Sequence, residues 1–146
     1  MADQATEQMT IAVSPARCYE VALDIGHYPE WAQDIKEADV LDLDDGGRPA
    51  RVAFRAAAMG HSARYILRYD HEGAPGRLAW VLESGDVVRR LDGEYIFEPV
   101  DGSPDSTHVT YHLVVELAVP LPGFVKRRAE VRILNTVREL KIRAEA

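Results

Sequence analysis

The sequence is poor in cysteine and carries fewer basic than acidic residues, and each shortage excludes a class of protein. Its single cysteine, Cys18, can form no internal disulfide and cannot build a cysteine-based zinc site or an iron–sulfur cluster. The 17 lysines and arginines face 24 aspartates and glutamates, which gives a net charge of -7. Phosphate backbones attract basic surfaces, so we do not expect a nucleic-acid-binding protein.

Long apolar runs are also missing. No stretch approaches the ~20 apolar residues that cross a bilayer, and the polar start MADQATEQMT lacks the basic and apolar regions of a secretory signal. We therefore expect a cytoplasmic protein with no transmembrane segment. A chain of 146 residues, 47% hydrophobic and 28% charged, is typical of one soluble globular domain, which we place over residues 1–146.

The first quarter of the chain predicts one strand and two short helices. The apolar alternation from Thr6 to Ser14 is typical of a half-buried strand. Ser14 followed by Pro15 indicates a helix start, because serine is a good N-cap and proline fits the first helical position. One apolar helical face follows at Cys18, Val21, Ala22 and Ile25.

Glycine and proline then predict where these helices end and begin. We expect Gly26 to end the first helix in a left-handed cap. We expect a second short helix from Pro29 to Gln33.

The remainder predicts six strands and one long helix. The strands have a period of two and are separated by turns rich in glycine and aspartate. Phe124 to about Ala144 has a helix-forming composition and would be ~30 Å long. Hairpin-linked strands form antiparallel sheets, so we predict an α+β fold with helices on one side. The predicted strands are Ile35–Leu43, Arg51–Ala58, Ser62–Asp70, Arg77–Glu83, Val87–Pro99 and Thr107–Val119.

Three stretches of the sequence carry a resemblance to a known family. They are SPARCYEVALDIGHYPEWAQDIKEADVLD, LDGEYIFEP followed by THVTYHLVVELAVPLPG, and the terminal FVKRRAEVRILNTVRELKIR. The chain resembles the START-like polyketide cyclase/dehydrase and lipid-transport superfamily, called SRPBCC, and looks most similar to its small, stand-alone actinobacterial members. The resemblance implies a helix-grip fold, in which a curved seven-stranded antiparallel sheet surrounds a long C-terminal helix. It also implies an apolar cavity between that sheet and that helix.

The residues add their own reason to expect a cavity. Ala56, Ala58, Ala63 and Gly93 fall on the inward phase, where small side chains leave volume unfilled. We expect Trp31 and Tyr28 to support or gate the helical end of the cavity. The alternative is a core filled by the same aromatic residues, with nothing bound. The expected ligand-binding residues are Phe54, Ala56, Tyr65, Leu67, Trp80, Leu82, Arg89, Tyr95, Phe97, Tyr111, Leu113 and Leu134.

Polar groups on the inward phase suggest what a cavity could recognise. Arg89 is the only charged residue that strand phasing places inward, and it could pair with a carboxylate or phenolate. A one-residue bulge would reverse that assignment. Four tyrosines also face inward and could orient a ligand oxygen or protonate an enolate, or reach water at the rim: Tyr65, Tyr69, Tyr95 and Tyr111.

No metal ion or other cofactor is expected. His108 and His112 are four residues apart, but on a strand that separation is roughly 13 Å, too far for one ion. Asp42, Asp44 and Asp45 beside a glycine are better read as a solvated hairpin than as a calcium loop, which needs further ligands.

These observations leave three hypotheses for function. The first is a non-catalytic binder or carrier of a hydrophobic lipid or polyketide-like molecule. The second is a polyketide aromatase/cyclase, although no inward histidine or carboxylate is predicted to assist it. The third is an interaction module, since residues 124–143 carry a net charge of +5 and leave -12 on the rest. That module would bind an acidic protein partner or a second copy of the chain.

Overall fold

The computed structural model describes residues 3–58, 61–117 and 136–146. Seven strands form one antiparallel sheet in the order β1-β7-β6-β5-β4-β3-β2, so β1 and β2 are its two edges. The strands are β1 (Asp3–Ile11), β2 (Ile35–Leu43), β3 (Pro49–Ala58), β4 (His61–Asp70), β5 (Arg77–Gly85), β6 (Val88–Val100) and β7 (Ser103–Leu117).

The first helix, α1 (Pro15–Leu23), starts where the sequence predicts. The Ser14 hydroxyl accepts a hydrogen bond from the backbone N–H of Arg17, which satisfies one of the unpaired donors at the helix start. The predicted apolar face is confirmed, because Cys18, Val21, Ala22 and Ile25 are all buried.

The predicted end of α1 at Gly26 is wrong. The helix stops at Leu23, and the Asp24 N–H closes it by donating to the Glu20 carbonyl. The chain continues directly into a 3₁₀ helix over Ile25–Glu30, which also replaces the second helix predicted from Pro29 to Gln33. Gly26 needs no left-handed conformation there.

The hairpins follow the predicted strands closely, and β2 has the predicted bounds. The turn before β7 is tighter than predicted, because Gly102 takes a φ of +74° and lets β7 begin at Ser103. At the β2–β3 turn, Gly47 takes a φ of +80°. The Asp44 carboxylate accepts from the N–H groups of Gly46 and Arg48, so it serves the turn itself.

A helix described over residues 136–145, here α2, packs on the sheet. Val137 and Leu140 are fully buried and belong to the same hydrophobic core as the fully buried Val52 and Val109 of the sheet. The predicted stripe residues between positions 125 and 133 lie outside the described part of the chain. The curved sheet with a C-terminal helix is the helix-grip fold predicted above.

Two side-chain carboxylates fasten the described part of α2. The Glu139 carboxylate accepts from the backbone N–H of Gln33 at 2.6 Å. The Glu145 carboxylate accepts from the backbone N–H of Ala12 at 2.8 Å, and this bond lowers the pKa of Glu145. The helix is thereby tied both to the end of β1 and to the segment before β2.

Gly93 is required for a close contact inside the sheet. A Cβ atom at this position would lie 2.7 Å from the Trp80 ring and 2.7 Å from the His112 carbonyl oxygen. The prediction that Gly93 leaves cavity volume open is therefore wrong, because the indole of Trp80 occupies that space.

We expect Gly93→Ala to destabilise the protein by about 1–3 kcal/mol, the usual cost of overpacking, since a backbone oxygen cannot move aside as a flexible side chain can. Urea unfolding measures the change. Gly26→Ala is the matched control, because a Cβ there meets nothing within 4 Å, and its effect should stay within about 0.5 kcal/mol. Equal losses in the two variants would contradict the assigned contact.

Candidate functional site

The concave, inner face of the sheet brings together most of the residues predicted to bind a ligand. Strands β3 to β7 contribute the predicted residues, and alternate residues of each strand point inward. Seven of the twelve predicted residues are buried there: Phe54, Leu67, Trp80, Tyr95, Phe97, Tyr111 and Leu113.

Aromatic rings line the middle of this inner face. Trp80 lies 5.5 Å from Tyr95 and 6.1 Å from Tyr111 between ring centroids. Tyr95 packs against Tyr111 at 4.9 Å and stacks on Phe97 at 5.7 Å with an interplanar angle of 12°. Aromatic pairs at these distances favour each other beyond simple burial, so the wall they form is well ordered.

Four tyrosine hydroxyls on this face make no hydrogen bond to any described residue. Every fully enclosed side-chain nitrogen or oxygen of the described residues has a partner. None of the four hydroxyls is therefore an enclosed donor without a partner. They belong to Tyr65, Tyr69, Tyr95 and Tyr111.

The same four hydroxyls lie close enough to influence each other. Burial raises the pKa of Tyr69 well above its usual range, and negative charge on Tyr65, Tyr95 or Tyr111 would raise it further. Burial also raises the pKa of Tyr95 and of Tyr111. These phenols consequently stay protonated at neutral pH and keep a proton that each could donate in a hydrogen bond.

The predicted residues at the rim are half-buried rather than buried. They are Ala56, Tyr65 and Leu82. Tyr65 stacks on Phe54 at 5.4 Å, and the negative charge of Asp34 adds to burial in raising its pKa. Asp34 gave no signal in the sequence, because it lies in an irregular segment that the Ala57 N–H fixes beside β3.

The prediction for Arg89 is wrong. The ladder between β6 and β7 shifts register between Val88 and Arg90, which leaves Arg89 in a bulge. Val88 is buried in its place and Arg89 is exposed, so the Arg89 side chain lies away from the inner face. Leu134, the remaining predicted residue, lies outside the described part of the chain.

A carboxylate that sequence phasing missed lies on the inner face. Glu7 pairs with Tyr111 across the β1–β7 ladder, so the two side chains share a face. Glu7 is half-buried. Glu7 precedes Met9 and Ile11 in the same alternation of the first strand, so the sequence pattern could have placed it on the inner face.

The helical end of the inner face is closed by contacts between the 3₁₀ helix, the sheet and α2. Tyr28 lies 4.9 Å from Trp31 and 6.3 Å from Phe54 between ring centroids, and its hydroxyl donates to the Ala22 carbonyl. The guanidinium group of Arg143 in α2 forms an ion pair with the carboxylate of Glu30 in the 3₁₀ helix, with 3.3 Å between nitrogen and oxygen. Trp31 is half-buried at this end, which is where a gate was predicted.

The outer face of the sheet carries a separate groove of about 360 Å³, bordered by residues of β4 to β7. Charged side chains of the groove are already paired with each other. The guanidinium nitrogens of Arg77 lie 2.6 Å from a carboxylate oxygen of Glu94 and 3.7 Å from one of Asp70. On the same face His112 bonds to the Thr6 hydroxyl at 2.8 Å. This groove therefore offers a ligand little unsatisfied polarity.

His71 is buried but already bonded at both ring nitrogens. It lies 3.0 Å from the Tyr19 hydroxyl and 2.5 Å from the Pro49 carbonyl oxygen, which requires a proton on the nitrogen facing Pro49. These bonds fasten α1 to the sheet.

Within residues 3–58, 61–117 and 136–146 no cluster of three or more histidine, cysteine or acidic residues has the arrangement of a metal site. None of the helices that the structure describes is long and apolar enough to cross a membrane.

Solved structures share this fold over the whole chain. A START superfamily protein from Mycobacterium smegmatis is 24% identical, with a TM-score of 0.86 and 97% of each chain covered. The Zhui aromatase/cyclase from a Streptomyces species is 14% identical, with a TM-score of 0.83, covering 99% of this chain and 94% of that one. A comparison with curated proteins finds no match.

The family assignment rests on the sequence. Residues 2–141 match the family model described as polyketide cyclase / dehydrase and lipid transport. The chain belongs to this family.

Proposed function

We propose that this protein binds and carries a hydrophobic small molecule, lipid-like or polyketide-like, on the inner face of its sheet, without altering it chemically. The observation that carries the proposal is the inner face itself, where buried aromatic rings lie together with tyrosine hydroxyls that stay protonated. Ligand pockets combine apolar walls with a few convergent polar groups in this way.

Desolvation would supply the affinity. Each Å² of apolar ligand surface removed from water contributes roughly 25 cal/mol. Trp31 and Tyr28 would control entry, since they lie at the end where the 3₁₀ helix meets α2. The proposed contacts are Phe54, Ala56, Tyr65, Leu67, Trp80, Leu82, Tyr95, Phe97, Tyr111 and Leu113, with Leu134 kept as a prediction.

The available acids and bases support a carrier over an enzyme. The inner-face tyrosines have raised pKa values and are weak acids. The buried histidine, His71, has both nitrogens engaged. General acid–base catalysis works best when the pKa of the group lies near the working pH, and the tyrosines do not meet that condition.

A polyketide aromatase/cyclase is the second candidate, and Glu7 favours it. A half-buried carboxylate on the same face as Tyr111 could remove a proton from an activated carbon, while a tyrosine hydroxyl donates to the enolate oxygen. The fold likeness to an aromatase/cyclase agrees with this candidate.

Paired mass spectrometry of the purified protein tests the proposal. One spectrum is taken under native conditions and one after denaturation and organic extraction. We expect a native adduct that is recovered as a free lipid-like or polyketide-like molecule of unchanged mass. A polyketide recovered with the mass of one or more waters removed would favour the cyclase.

A bare native mass that also shows no uptake from an added lipid and polyketide mixture would overturn the carrier proposal. It would instead favour an interaction module that binds an acidic protein or a second copy through the basic residues 124–143. The proposal also treats residues 1–146 as one cytoplasmic ligand-binding domain, which limited proteolysis and cell fractionation would test.

A further inference from the structure

The backbone ladder between β5 and β6 stops before the two strands end. Its last pair is Trp80 opposite Gly93. It has no further pair between residues 81–85 of β5 and 88–92 of β6, all of which the structure describes. Along these residues β5 stays paired to β4, and β6 stays paired to β7. The break is therefore confined to one line between two strands, which we call the seam.

A side-chain hydrogen bond crosses the seam. The Asp92 carboxylate of β6 accepts from the Leu82 backbone N–H of β5 at 2.9 Å, in the place of the main-chain carbonyl that a continued ladder would supply. The other carboxylate oxygen of Asp92 accepts from the Arg90 guanidinium at 2.9 Å. Releasing Asp92 would break no ladder hydrogen bond, so this side chain can act as a clasp.

Packing along the seam is looser than in the paired part of the same strands. Leu82 and Leu91 are half-buried, whereas Trp80 and Tyr95 are buried. Residues 83–87, which lead into the turn, are all exposed. Segments with few buried apolar side chains and exposed backbone open at a lower free energy than core strands. We therefore expect the seam to open more readily than the ladder beside it.

The seam lies between the outer groove and the inner face. Val81 and Asp92, one from each side of the seam, line the groove of about 360 Å³ on the outer face. Leu82 has the same phase as Trp80, so its side chain belongs to the inner face, where it is a proposed ligand contact. A groove whose charged side chains are already paired suits passage of an apolar molecule better than its retention.

We propose that β5 and β6 part along the seam to let the ligand pass between the outer groove and the inner face, and that the Asp92–Leu82 clasp controls how often they part. The inference rests on the proposed function, because the ligand is bound on the same inner face. It adds a second route to the one that Tyr28 and Trp31 would control.

Stopped-flow fluorescence with neutral aminoanthracene at pH 7 tests the route, using protein from which bound material has been extracted. We expect Asp92→Ala to raise both the association and the dissociation rate constant about threefold to tenfold, the effect of losing one hydrogen bond. The Kd should stay within about twofold, because the clasp lies on the route and not on the bound ligand. A merely structural role would change the Kd instead.

Two further variants assign the effect to the clasp. Asp92→Asn keeps an oxygen that can accept from the Leu82 N–H, so it should restore most of the wild-type rates. Asp44→Ala is the matched control, because Asp44 also accepts from backbone N–H groups and pairs with an arginine, but in the β2–β3 turn. It should change neither rate constant.

Amide hydrogen exchange followed by NMR tests the opening without any ligand. We expect the Leu82 amide to exchange faster than the amide of Leu78, which lies inside the ladder of the same strand. Asp92→Ala should speed exchange at Leu82 and leave Leu78 unchanged. A Leu82 amide that exchanges as slowly as that of Leu78 would overturn the inference.

The outcomes separate the inference from the proposed function. If aminoanthracene does not bind to the wild-type protein, the proposed function fails and the inference falls with it. If the probe binds and Asp92→Ala changes neither rate constant, the carrier function stands and the seam is not a route. Equal acceleration by Asp44→Ala would also overturn the inference, since it would show a general loosening of the sheet.

Discussion

Ala56→Trp is expected to abolish uptake of an apolar ligand while the protein remains folded. Ala56 is half-buried on the inner face of β3, directly opposite Ala63 of β4, so two small side chains lie side by side there. An indole at this position would occupy the space proposed for the ligand. We expect affinity for neutral aminoanthracene to fall by at least about tenfold, or ~1.4 kcal/mol, in a fluorescence titration.

Ala53→Trp is the matched control for that experiment. Ala53 lies on the same strand with the opposite phase, so its side chain points to the outer face. It should bind the probe as wild type does. Equal probe affinity for wild type and both variants would show that the ligand lies elsewhere.

Trp80→Ala is expected to cause the largest loss of stability of any single inner-face substitution. Trp80 is buried, covers Gly93 and contacts Tyr69, Tyr95 and Tyr111 at centroid distances of 5.5–6.1 Å. Removing its indole leaves a cavity under three rings. Substitutions of this kind cost about 3–5 kcal/mol, which urea unfolding would record.

Trp31→Ala is the control for Trp80→Ala. It shows how much stability is lost when an indole is removed from a half-buried position. Trp31 is half-buried, and the ring that contacts it is Tyr28. We expect a smaller stability loss than for Trp80→Ala, accompanied by faster exchange of the bound probe if Trp31 gates entry. A loss for Trp31→Ala as large as that for Trp80→Ala would contradict the assigned packing.

Much of the inner face could be predicted because strand alternation is a strict local rule. Successive side chains of a strand point to opposite faces of the sheet, so parity alone assigned Phe54, Trp80, Tyr95 and Tyr111, all of them buried, to the inner face. The start of α1 could also be predicted, because the Ser14 cap and Pro15 act within the first turn of the helix and need no distant contact.

The failures arise where tertiary contacts override local pattern. A bulge between Val88 and Arg90 adds one residue, and parity then assigns Arg89 to the wrong face. The sequence shows that Gly93 has no side chain. It does not show that the ring of Trp80, on the neighbouring strand, occupies the space where a side chain of residue 93 would lie. The last turn of α1 is closed by a hydrogen bond from the Asp24 N–H to the Glu20 carbonyl. The prediction used Gly26 as the end signal and therefore placed the helix end too late.

Tyrosine ring NMR during titration with neutral aminoanthracene tests the central claim most directly, because the six tyrosines report from known positions. We expect large shifts for the inner-face rings of Tyr65, Tyr69, Tyr95 and Tyr111, and none for Tyr19, whose hydroxyl is bonded to His71. Shifts confined to Tyr19, or no shift in any inner-face ring while the ligand binds, would contradict binding on the inner face of the sheet.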